Sequence, residues 1–450
     1  MMKKKIFNII KNLLLFIFFF FCLQLIYYNF SGDTLYNYGF SYAIRMGEVP
    51  YRDFNMIIPP FGPIVYTIPL LIKNDYLMIN LFQSLLLCLF FNLMNKYIGR
   101  KSYIVLLFMF IYFPLSIIVS IFPNYNFILL FLCLLLIYLE DEKCNDYLFG
   151  IILGLTILTK HNVGFVISLC SLYYINKDRN KFIKRLLGAL GVGVIFIIYL
   201  LFTGSFNNFV NLCILGMFDF TNSNSNKNII YILLFFIILI YLIIRIIRDR
   251  KSINNYYLLA FYSVVIPLLD LYHFSIFSIF LLIVILKNRK FKYINNYSDK
   301  SIFISSFMIL IVFSIMWCNV ISRDSLKVVN HFSYVPIKDT YFDTIDKVND
   351  IINNNSNRNI IMLGNCTYFY KIINNKRIIY YDLINYGNHG YNGTNKIIEM
   401  IKGEKDPLFI VDINEYNRVN PYKQFNTDIV DYVLHNYNKI KNIGRYIILE

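Results

Sequence analysis

Residues 31–60 form a polar stretch directly after the first long apolar run, and they include residue types that can do acid–base and phosphate chemistry. The stretch reads SGDTLYNYGFSYAIRMGEVPYRDFNMIIPP. Ionisable groups beside buried helices at a membrane surface are costly to place, so they are functional candidates by default. A carboxylate there can act as a general base, and an arginine can bind a phosphate. The candidates in this stretch are Asp33, Tyr36, Tyr51, Arg52 and Asp53.

Two short corners between later apolar runs carry four more ionisable groups. Lys160 and His161 stand in the sequence TKHN, and Asp270 and His273 stand in DLYH. A corner between apolar helices needs no charge, because Gly, Ser or Asn would form the turn. We therefore predict that these four residues bind substrate. Their cations would face the acids of the first loop and hold an anionic headgroup.

Several of these residues also have a purely structural interpretation. A lysine at a helix end often extends its stem towards the interface, as Lys160 would. Asp33 would suit the N-cap of an interfacial helix. Asp53 would pair with Arg52 or cap a turn, and His273 would cap its corner.

The composition is that of a membrane protein. The 450 residues are 57% hydrophobic with a mean hydropathy of +0.53, and the net charge is +16. In a chain this apolar the basic excess does not indicate nucleic-acid binding, and we expect the lipid bilayer as a partner. A helix needs about 20 apolar residues to span the bilayer, or fewer where it is buried in protein. We predict a polytopic α-helical fold with about 11 spans, near 6–28, 76–95, 103–121, 125–139, 147–159, 162–176, 183–203, 229–247, 254–270, 273–286 and 302–321.

The sidedness of these spans follows from charge. With the N-terminus inside, the inner connections carry 22 Lys and Arg, whereas the outer connections carry 5. This asymmetry follows the positive-inside rule. We therefore predict a multi-pass protein of the cell membrane whose N-terminus is cytoplasmic, and an odd number of spans places the chain after Val320 outside. The inner connections are 1–11, 96–102, 140–147, 177–185, 245–252 and 287–300; the outer ones are 31–75, 122–126, 159–162, 204–228 and 270–273.

Residues 330–450 have a different composition: they are polar and rich in Asn, and they contain short apolar runs typical of strands. Alternating strands and helices predict a small extracytoplasmic α/β domain, separate from a membrane domain over 1–325. The predicted strands are 359–364, 377–381 and 407–412, and the predicted helices are 367–374, 394–403 and 427–439.

Several motifs for cofactor and energy chemistry are missing from the sequence. It has no P-loop, GxGxxG, HExxH or serine nucleophile elbow, so an internal ATPase is not expected. The eight cysteines include no CxxC and no evident disulfide pair. We expect no cofactor and no bound metal, and any energy must come with the substrate or from a gradient.

The segment 57–72, IIPPFGPIVYTIPLLI, is apolar but contains four prolines, which would break a regular span. We predict that it lies in the interface or dips into the membrane, where irregular backbone is tolerated beside a protein cavity. It would give a pocket an apolar wall suited to a lipid tail.

The first outer loop resembles that of the C-type (GT-C) glycosyltransferases. This family includes the protein O-mannosyltransferases and bacterial aminoarabinose transferases, which take sugars from polyprenyl phosphates. The similarity lies in a first span, then GDTLYNYGFSYAIRMGEVPYRDF, then PPFGPIVY. Asp33 with Tyr36 or Tyr38 falls at the acidic motif of the family, and TKHN is similar to its lysine corner. The resemblance in sequence covers residues 1–175. For the rest of the chain only the architecture is similar.

Two positions depart from the family's pattern. Thr34 replaces the second acid of an Asp-Glu pair, so a second carboxylate would have to be Asp53. Ile58 replaces the lysine that precedes Pro-Pro in aminoarabinose transferases. The phosphate contact of that lysine would therefore pass to Arg52 and Lys160.

The resemblance implies an inverting transfer of a sugar from a polyprenyl-phosphate donor to an extracytoplasmic acceptor: a cell-surface glycan, a lipid or a protein. Asp33 would act as general base on the acceptor hydroxyl, while Arg52 and Lys160 would stabilise the departing phosphate. A retaining reaction with Asp53 as nucleophile stays open.

Two other functions stay open as well. A transporter or flippase of an anionic lipid-linked glycan would use the same cations without a base. Transporters commonly contain internal repeats, and no repeat between the halves of this sequence is evident. A non-catalytic scaffold of the envelope would present the 330–450 domain.

Overall fold

The computed structural model describes most of the chain. The described residues are 2–26, 32–112, 124–175, 177–224, 228–266, 268–288, 298–321, 326–327, 337–338, 342–364, 378–380, 384–417 and 425–450.

The N-terminal part of the protein is built of helices, and each apolar run that the sequence marks as a span contains one. Polar caps fix several helix starts, as where Asp75 accepts from the Leu77 amide at 2.9 Å. Short 3-10 segments lie at Gly99–Lys101, Cys170–Tyr174 and Ser263–Val265, and π segments at Phe108–Tyr112 and Val210–Leu215. The α-helices are α1 (Met2–Ile26), α2 (Gly32–Arg45), α3 (Phe61–Ile72), α4 (Tyr76–Ile98), α5 (Ser102–Leu107), α6 (Tyr125–Asp141), α7 (Asp146–Ile157), α8 (His161–Leu169), α9 (Arg179–Phe202), α10 (Phe206–Phe209), α11 (Gly216–Asn224), α12 (Ile229–Arg248), α13 (Ile253–Tyr262), α14 (Leu271–Asn288) and α15 (Asp299–Ile321).

Within the described residues, four helical stretches are long and apolar enough to cross a membrane. Other apolar helices are shorter, such as α7 with 12 residues and α6 with 17. Length and composition therefore indicate a membrane protein, but by this criterion the count falls short of the 11 spans predicted from sequence. The four stretches are Lys5–Leu23, Tyr76–Phe110, Arg179–Phe202 and Ile229–Arg248.

The proline-rich segment forms helix α3, which contains Pro69 and has 12 residues. At about 1.5 Å per residue it is too short to span a bilayer alone. It packs against α2, where the Ser41 hydroxyl donates to the Pro63 carbonyl at 3.0 Å and Arg45 Nε donates to the Leu70 carbonyl at 3.0 Å. The prolines thus shorten the helix rather than abolish it.

A buried ionic cluster joins α6, α7 and α9 near the acid-rich 140–147 connection. Arg185 is 2% exposed and donates to Glu140 at 2.6 Å and to Asp146 at 3.0 Å. Lys181 donates to Glu140 at 2.9 Å, and the Tyr174 hydroxyl donates to the same carboxylate at 2.5 Å. The acids of this connection therefore neutralise cations that would otherwise be buried without a partner.

Two glycines bring α7 and α9 close enough for this cluster to form. A Cβ added to Gly150 would stand 2.2 Å from the Arg185 carbonyl oxygen. A Cβ added to Gly188 would stand 2.5 Å from the carbonyl oxygen of Tyr147. The two backbones are thus in direct contact, as at helix crossings lined by small residues.

The C-terminal part contains a five-stranded sheet in the order β4-β3-β5-β7-β6. The first three strands in this order are parallel, β7 pairs antiparallel with β5, and β6 pairs antiparallel with β7. A separate two-stranded antiparallel pair is formed by β1 (Leu326–Lys327) and β2 (Ile337–Lys338). The sheet strands are β3 (Asn359–Leu363), β4 (Ile378–Tyr380), β5 (Pro407–Asp412), β6 (Lys439–Ile443) and β7 (Tyr446–Leu449), and the helices are α16 (Phe342–Asn354), α17 (Gly393–Gly403), α18 (Ile413–Tyr416) and α19 (Thr427–Asn436).

Both faces of this sheet are covered, so alternate residues of a strand enter different cores. Ile361 of β3 packs in one core with Ile397 of α17 and Val433 of α19. Ile360, the preceding residue, lies in the core that contains Ile352 of α16. All three strands predicted from sequence are present, as are the helices predicted near 394–403 and 427–439. The helix predicted over 367–374 lies outside the described residues, and the β6–β7 hairpin was not predicted.

We expect Arg185→Ala to lower the free energy of unfolding by about 3–5 kcal/mol, because Glu140 would stay buried without its principal partner. Thermal unfolding of the protein in detergent measures this loss. Arg179→Ala is the matched control, since Arg179 is exposed in the first turn of the same helix. Equal melting temperatures for the two variants would contradict a stabilising role for the cluster.

Candidate functional site

A cleft opens at the corner between α7 and α8. Its walls come from this corner, from the start of α14, from α11, and from the residues just before α3. The lining is mostly apolar, with a few polar groups at one side. It comprises Ile57, Ile58, Pro59, Tyr125, Lys160, His161, Asn162, Leu212, Gly216, Met217, Phe220, Leu268, His273 and Gly387. We call this the cation cleft.

Lys160 is the ammonium group of the cation cleft. Its Nζ donates to Asn126 Oδ1 at 3.2 Å and stands 5.8 Å from the centre of the Tyr125 ring. Burial lowers the pKa of Lys160 to about 8, although the negative charge of Asp270 opposes the shift. The group is therefore charged at neutral pH and loses its proton in mildly alkaline solution.

Asp270 and His273 form a carboxylate–imidazole pair beside this lysine. His273 is 5% exposed, and its Nδ1 lies 2.8 Å from Asp270 Oδ1, which also accepts from the His273 amide at 2.8 Å. An ionised carboxylate only accepts hydrogen bonds, so we assign the proton to Nδ1 and leave Nε2 as an acceptor. A carboxylate that orients a histidine in this way is one form of a general base.

Asn126, which the sequence analysis did not single out, connects the two corners. It accepts from Lys160, and its Nδ2 donates to the Tyr272 hydroxyl at 3.0 Å. Asn126 is 1% exposed, in the second position of α6. The sequence did contain a signal for Asn126: its amide side chain stands near the start of an otherwise apolar helix. Such a group needs hydrogen-bond partners when it is buried.

The segment 206–224 also escaped the sequence analysis, which treated it as a plain outer connection. It forms α10, a π segment and α11, and it contributes Met217 and Phe220 to the cation cleft. The Met217 sulfur lies against His161 Nε2. The apolar run FVNLCILGMF within this segment was a signal of helical structure.

The loop before α3 positions the apolar wall of the cleft through Tyr51. Tyr51 has a left-handed backbone, with φ of 69°, which is uncommon for a residue with a side chain. Its buried hydroxyl donates to the Ile58 carbonyl at 2.8 Å, and Asn208 Nδ2 donates to its carbonyl at 2.9 Å. Tyr51 thus supports the loop and is not among the residues lining the cleft, in contrast to the substrate contact that we expected.

Arg52 and Asp53 pair with each other instead of facing the cation cleft. Arg52 Nε donates to Asp53 Oδ1 at 2.9 Å, and Asp53 Oδ2 accepts from the Val49 amide at 2.7 Å. Half of the Arg52 side chain is exposed. The turn-capping interpretation of Asp53 therefore describes its geometry, and the expected convergence with Lys160 is not found in this structure.

Asp33 and Tyr36 lie in α2. Asp33 is in the first turn of this helix, and its side chain lies outside the described part of the chain. Tyr36 is 7% exposed and packs edge-on against Phe40, with ring centres 4.3 Å apart, and it does not line the cleft. One turn after Asp33, Asn37 Oδ1 accepts from the amide of Tyr125, a cleft residue, at 3.4 Å.

The C-terminal part closes one side of the cation cleft by backbone contact with α11. A Cβ added to Gly387, whose φ is +86°, would stand 2.3 Å from the Phe220 Cα. The Tyr391 amide donates to Asn211 at 2.9 Å, and the Asn392 amide donates to Asp219 at 2.9 Å. We call residues 384–395 the docking segment. This segment can approach α11 so closely only because position 387 is a glycine.

Comparison with known proteins adds no relative: no family model matches the chain, and no curated protein matches it significantly. Among the described residues, no three His, Cys, Asp or Glu side chains cluster so as to hold a metal ion.

Proposed function

We propose that the protein is an integral membrane glycosyltransferase that moves a sugar from a polyprenyl-phosphate donor to an extracytoplasmic acceptor. The observation that carries the proposal is the composition of the cation cleft. An ammonium group, Lys160, stands beside an Asp270–His273 pair in a cleft whose remaining lining is largely apolar. This combination suits a lipid phosphate and a reaction that moves one proton.

The donor would place its phosphate at Lys160 and its lipid chain along the apolar lining. Ile57, Ile58 and Pro59 supply part of that lining, and Asn126 holds the ammonium group in place. As the bond between the sugar and the phosphate breaks, negative charge grows on the phosphate oxygen. A fixed ammonium group stabilises that charge more strongly in an apolar cleft than in water.

The general base would be Asp33, at the position of the acidic motif in the GT-C family. It would take the proton of the acceptor hydroxyl as that oxygen attacks the anomeric carbon, and one such displacement inverts the anomeric centre. Its place one turn before Asn37, which contacts cleft residue Tyr125, supports this assignment. His273 is the other base candidate, because Asp270 orients it within the cleft.

The proposed topology has about 11 spans, a cytoplasmic N-terminus and the C-terminal domain outside. It is supported by a helix in every predicted span and by the ratio of 22 to 5 for Lys and Arg in the inner and outer connections. Spans shorter than about 20 residues are acceptable where neighbouring helices bury them, and α6 is buried along most of its length.

For this topology we expect alkaline phosphatase fused after Glu450 to be active and a green fluorescent protein fused there to be dark. Fusions at Lys251, in an inner connection, should behave in the opposite way. A fluorescent fusion at Glu450 would exclude the topology and with it an extracytoplasmic acceptor.

We expect the affinity for polyprenyl phosphate to fall about tenfold or more between pH 7.5 and 9.5, as Lys160 loses its proton near pH 8. The phosphate itself is already fully charged over this range, because its second pKa is about 6. Lys160→Arg should remove the pH dependence, since a guanidinium stays protonated. Titrations of lipid against protein in detergent provide the measurement, and a wild-type affinity that is flat across this range would reject Lys160 as the phosphate ligand.

We expect Asp33→Asn to reduce turnover by at least about 100-fold with near-normal lipid binding, because the amide is nearly isosteric but takes up no proton. Glu48→Gln, in the same loop, is the matched control. Mass spectrometry of polyprenyl phosphate released from a sugar-loaded lipid extract measures turnover, which a transporter would not show.

The same assay decides between the two base candidates. If His273→Gln abolishes turnover while Asp33→Asn retains most of it, the base is His273 and the role of Asp33 is structural. If no wild-type preparation releases polyprenyl phosphate, the transporter becomes the better function for the same cleft.

A further inference from the structure

A second cleft lies between α11 and the docking segment. Gly387 lines both this cleft and the cation cleft, so the two spaces meet at the contact between α11 and the C-terminal part. Phe220 of α11 faces the cation cleft, whereas Asp219 and Asn222 of the same helix line the second space. We call this second space the junction cleft.

The junction cleft contains a histidine whose hydrogen-bonding capacity is unused. His389 is 3% exposed and lines the cleft, and neither of its ring nitrogens has a hydrogen-bond partner within the described residues. A buried imidazole without partners costs free energy, which a ligand that bonds to it recovers. Burial also lowers the pKa of His389 to about 4, so at neutral pH the ring offers one donor and one acceptor.

The other groups around the cleft are almost all neutral and polar. They include the amides of Asn222 and Asn395 and the hydroxyls of Ser223 and Thr394. Amides and hydroxyls both donate and accept hydrogen bonds, as the vicinal hydroxyls of a sugar do. The ring of Tyr386 adds an aromatic surface against which the C–H face of a sugar packs.

The charges around the cleft disfavour ions. Asp219 is the charged side chain among the lining residues, and no Lys or Arg lines the cleft in the described part of the chain. A phosphate or carboxylate would meet this negative group without a cation to balance it. A metal ion would find a single carboxylate, which already accepts a hydrogen bond from the Asn392 amide.

We propose that the junction cleft binds a neutral polyhydroxylated ligand, a sugar unit, through His389 and the amide and hydroxyl groups around it. The proposal goes beyond the transfer reaction, because sugar binding is measured with no donor present. That the bound sugar belongs to the acceptor rests on the proposed function. Its place beside Gly387 would set it next to the cation cleft, where the donor would lie.

Saturation-transfer NMR on the full chain tests the proposal. The probes are the methyl glycosides of glucose, galactose, mannose and N-acetylglucosamine, and glucose 1-phosphate serves as an anionic comparison. The detergent must be an amine oxide, because a glycosidic detergent would compete for the cleft. We expect at least one neutral glycoside to bind, and to bind better than the phosphate.

Two variants locate the binding. Asn222→Trp fills the cleft from an exposed position on α11, and His389→Leu removes the unpartnered imidazole. Each should weaken binding by about tenfold or more, through the loss of hydrogen bonds or of space. Phe218→Trp is the matched control, because Phe218 is exposed on the same helix and lines neither cleft, and it should bind as the wild type does.

Three results would overturn the proposal: no binding of any neutral glycoside, a preference for glucose 1-phosphate, or unchanged binding in Asn222→Trp. Equal loss of binding in Phe218→Trp would show that the effect is not specific to the cleft, and would also count against it. If His389→Leu does not fold, the comparison of Asn222→Trp with Phe218→Trp still shows whether the glycoside binds in the junction cleft. None of these outcomes depends on turnover, so failure here is distinct from failure of the proposed transfer.

Discussion

The cost of removing charges from water governs the arrangement at both ends of α7. At its N-terminal end Arg185 has two carboxylates and a ring, Phe149, 3.7 Å from its guanidinium carbon. At its C-terminal end Lys160 has one amide oxygen and a distant ring, and the charge of Asp270 acts on it without a hydrogen bond between the two among those described. The first cation is fully satisfied by protein, as structural ion pairs must be. The second is left partly satisfied at the wall of a cleft, which is where a bound anion would stabilise it.

Close backbone contact is the second constraint, and glycine permits it in several places, two of which bear on the clefts. Gly150 and Gly188 let α7 and α9 touch, so the two ends of α7 are held relative to the rest of the bundle. Gly387 lets the docking segment touch α11. Any larger residue at these positions would push a helix away from its neighbour, and the clefts at Lys160 and His389 would change shape together with the contact.

Sequence patterns predicted many of the helices and strands, but not the β6–β7 hairpin or the helices within 206–224. The apolar runs predicted the helices, and the charge count predicted only that Lys160, Asp270 and His273 lie on the same face of the membrane. In the structure these residues lie close together, although 110 residues separate Lys160 from Asp270. Local hydrogen bonding could not be predicted in the same way. Asp53 bonds to the Val49 amide and to Arg52 within its own loop, and such short-range bonds compete with any longer-range role.

The contribution of the C-terminal part was beyond sequence reasoning for a different reason. Strands β3, β4 and β5 were readable as apolar runs, but the docking segment carries no periodicity, and its role depends on two glycines with positive φ, Gly387 and Gly390. The contact of Gly387 with Phe220 joins positions far apart in the chain, which a single sequence does not reveal. Asn126 was missed similarly, because its partners lie on two other helices.

Helix α11 lies between the two clefts, and this position fits the proposal that one ligand comes from the lipid and the other from water. In the proposed reaction a lipid phosphate would reach Lys160 from the apolar side, along residues such as Ile57 and Pro59, whereas a hydroxyl-rich acceptor would arrive from water. One apolar cleft cannot satisfy both, because the hydroxyls of the second ligand would go unpaired there. Helix α11 presents Phe220 to the cation cleft and Asp219 to the junction cleft, so an apolar ligand and a hydroxyl-rich ligand would each meet a suitable lining. The close contact at Gly387 keeps the two clefts adjacent.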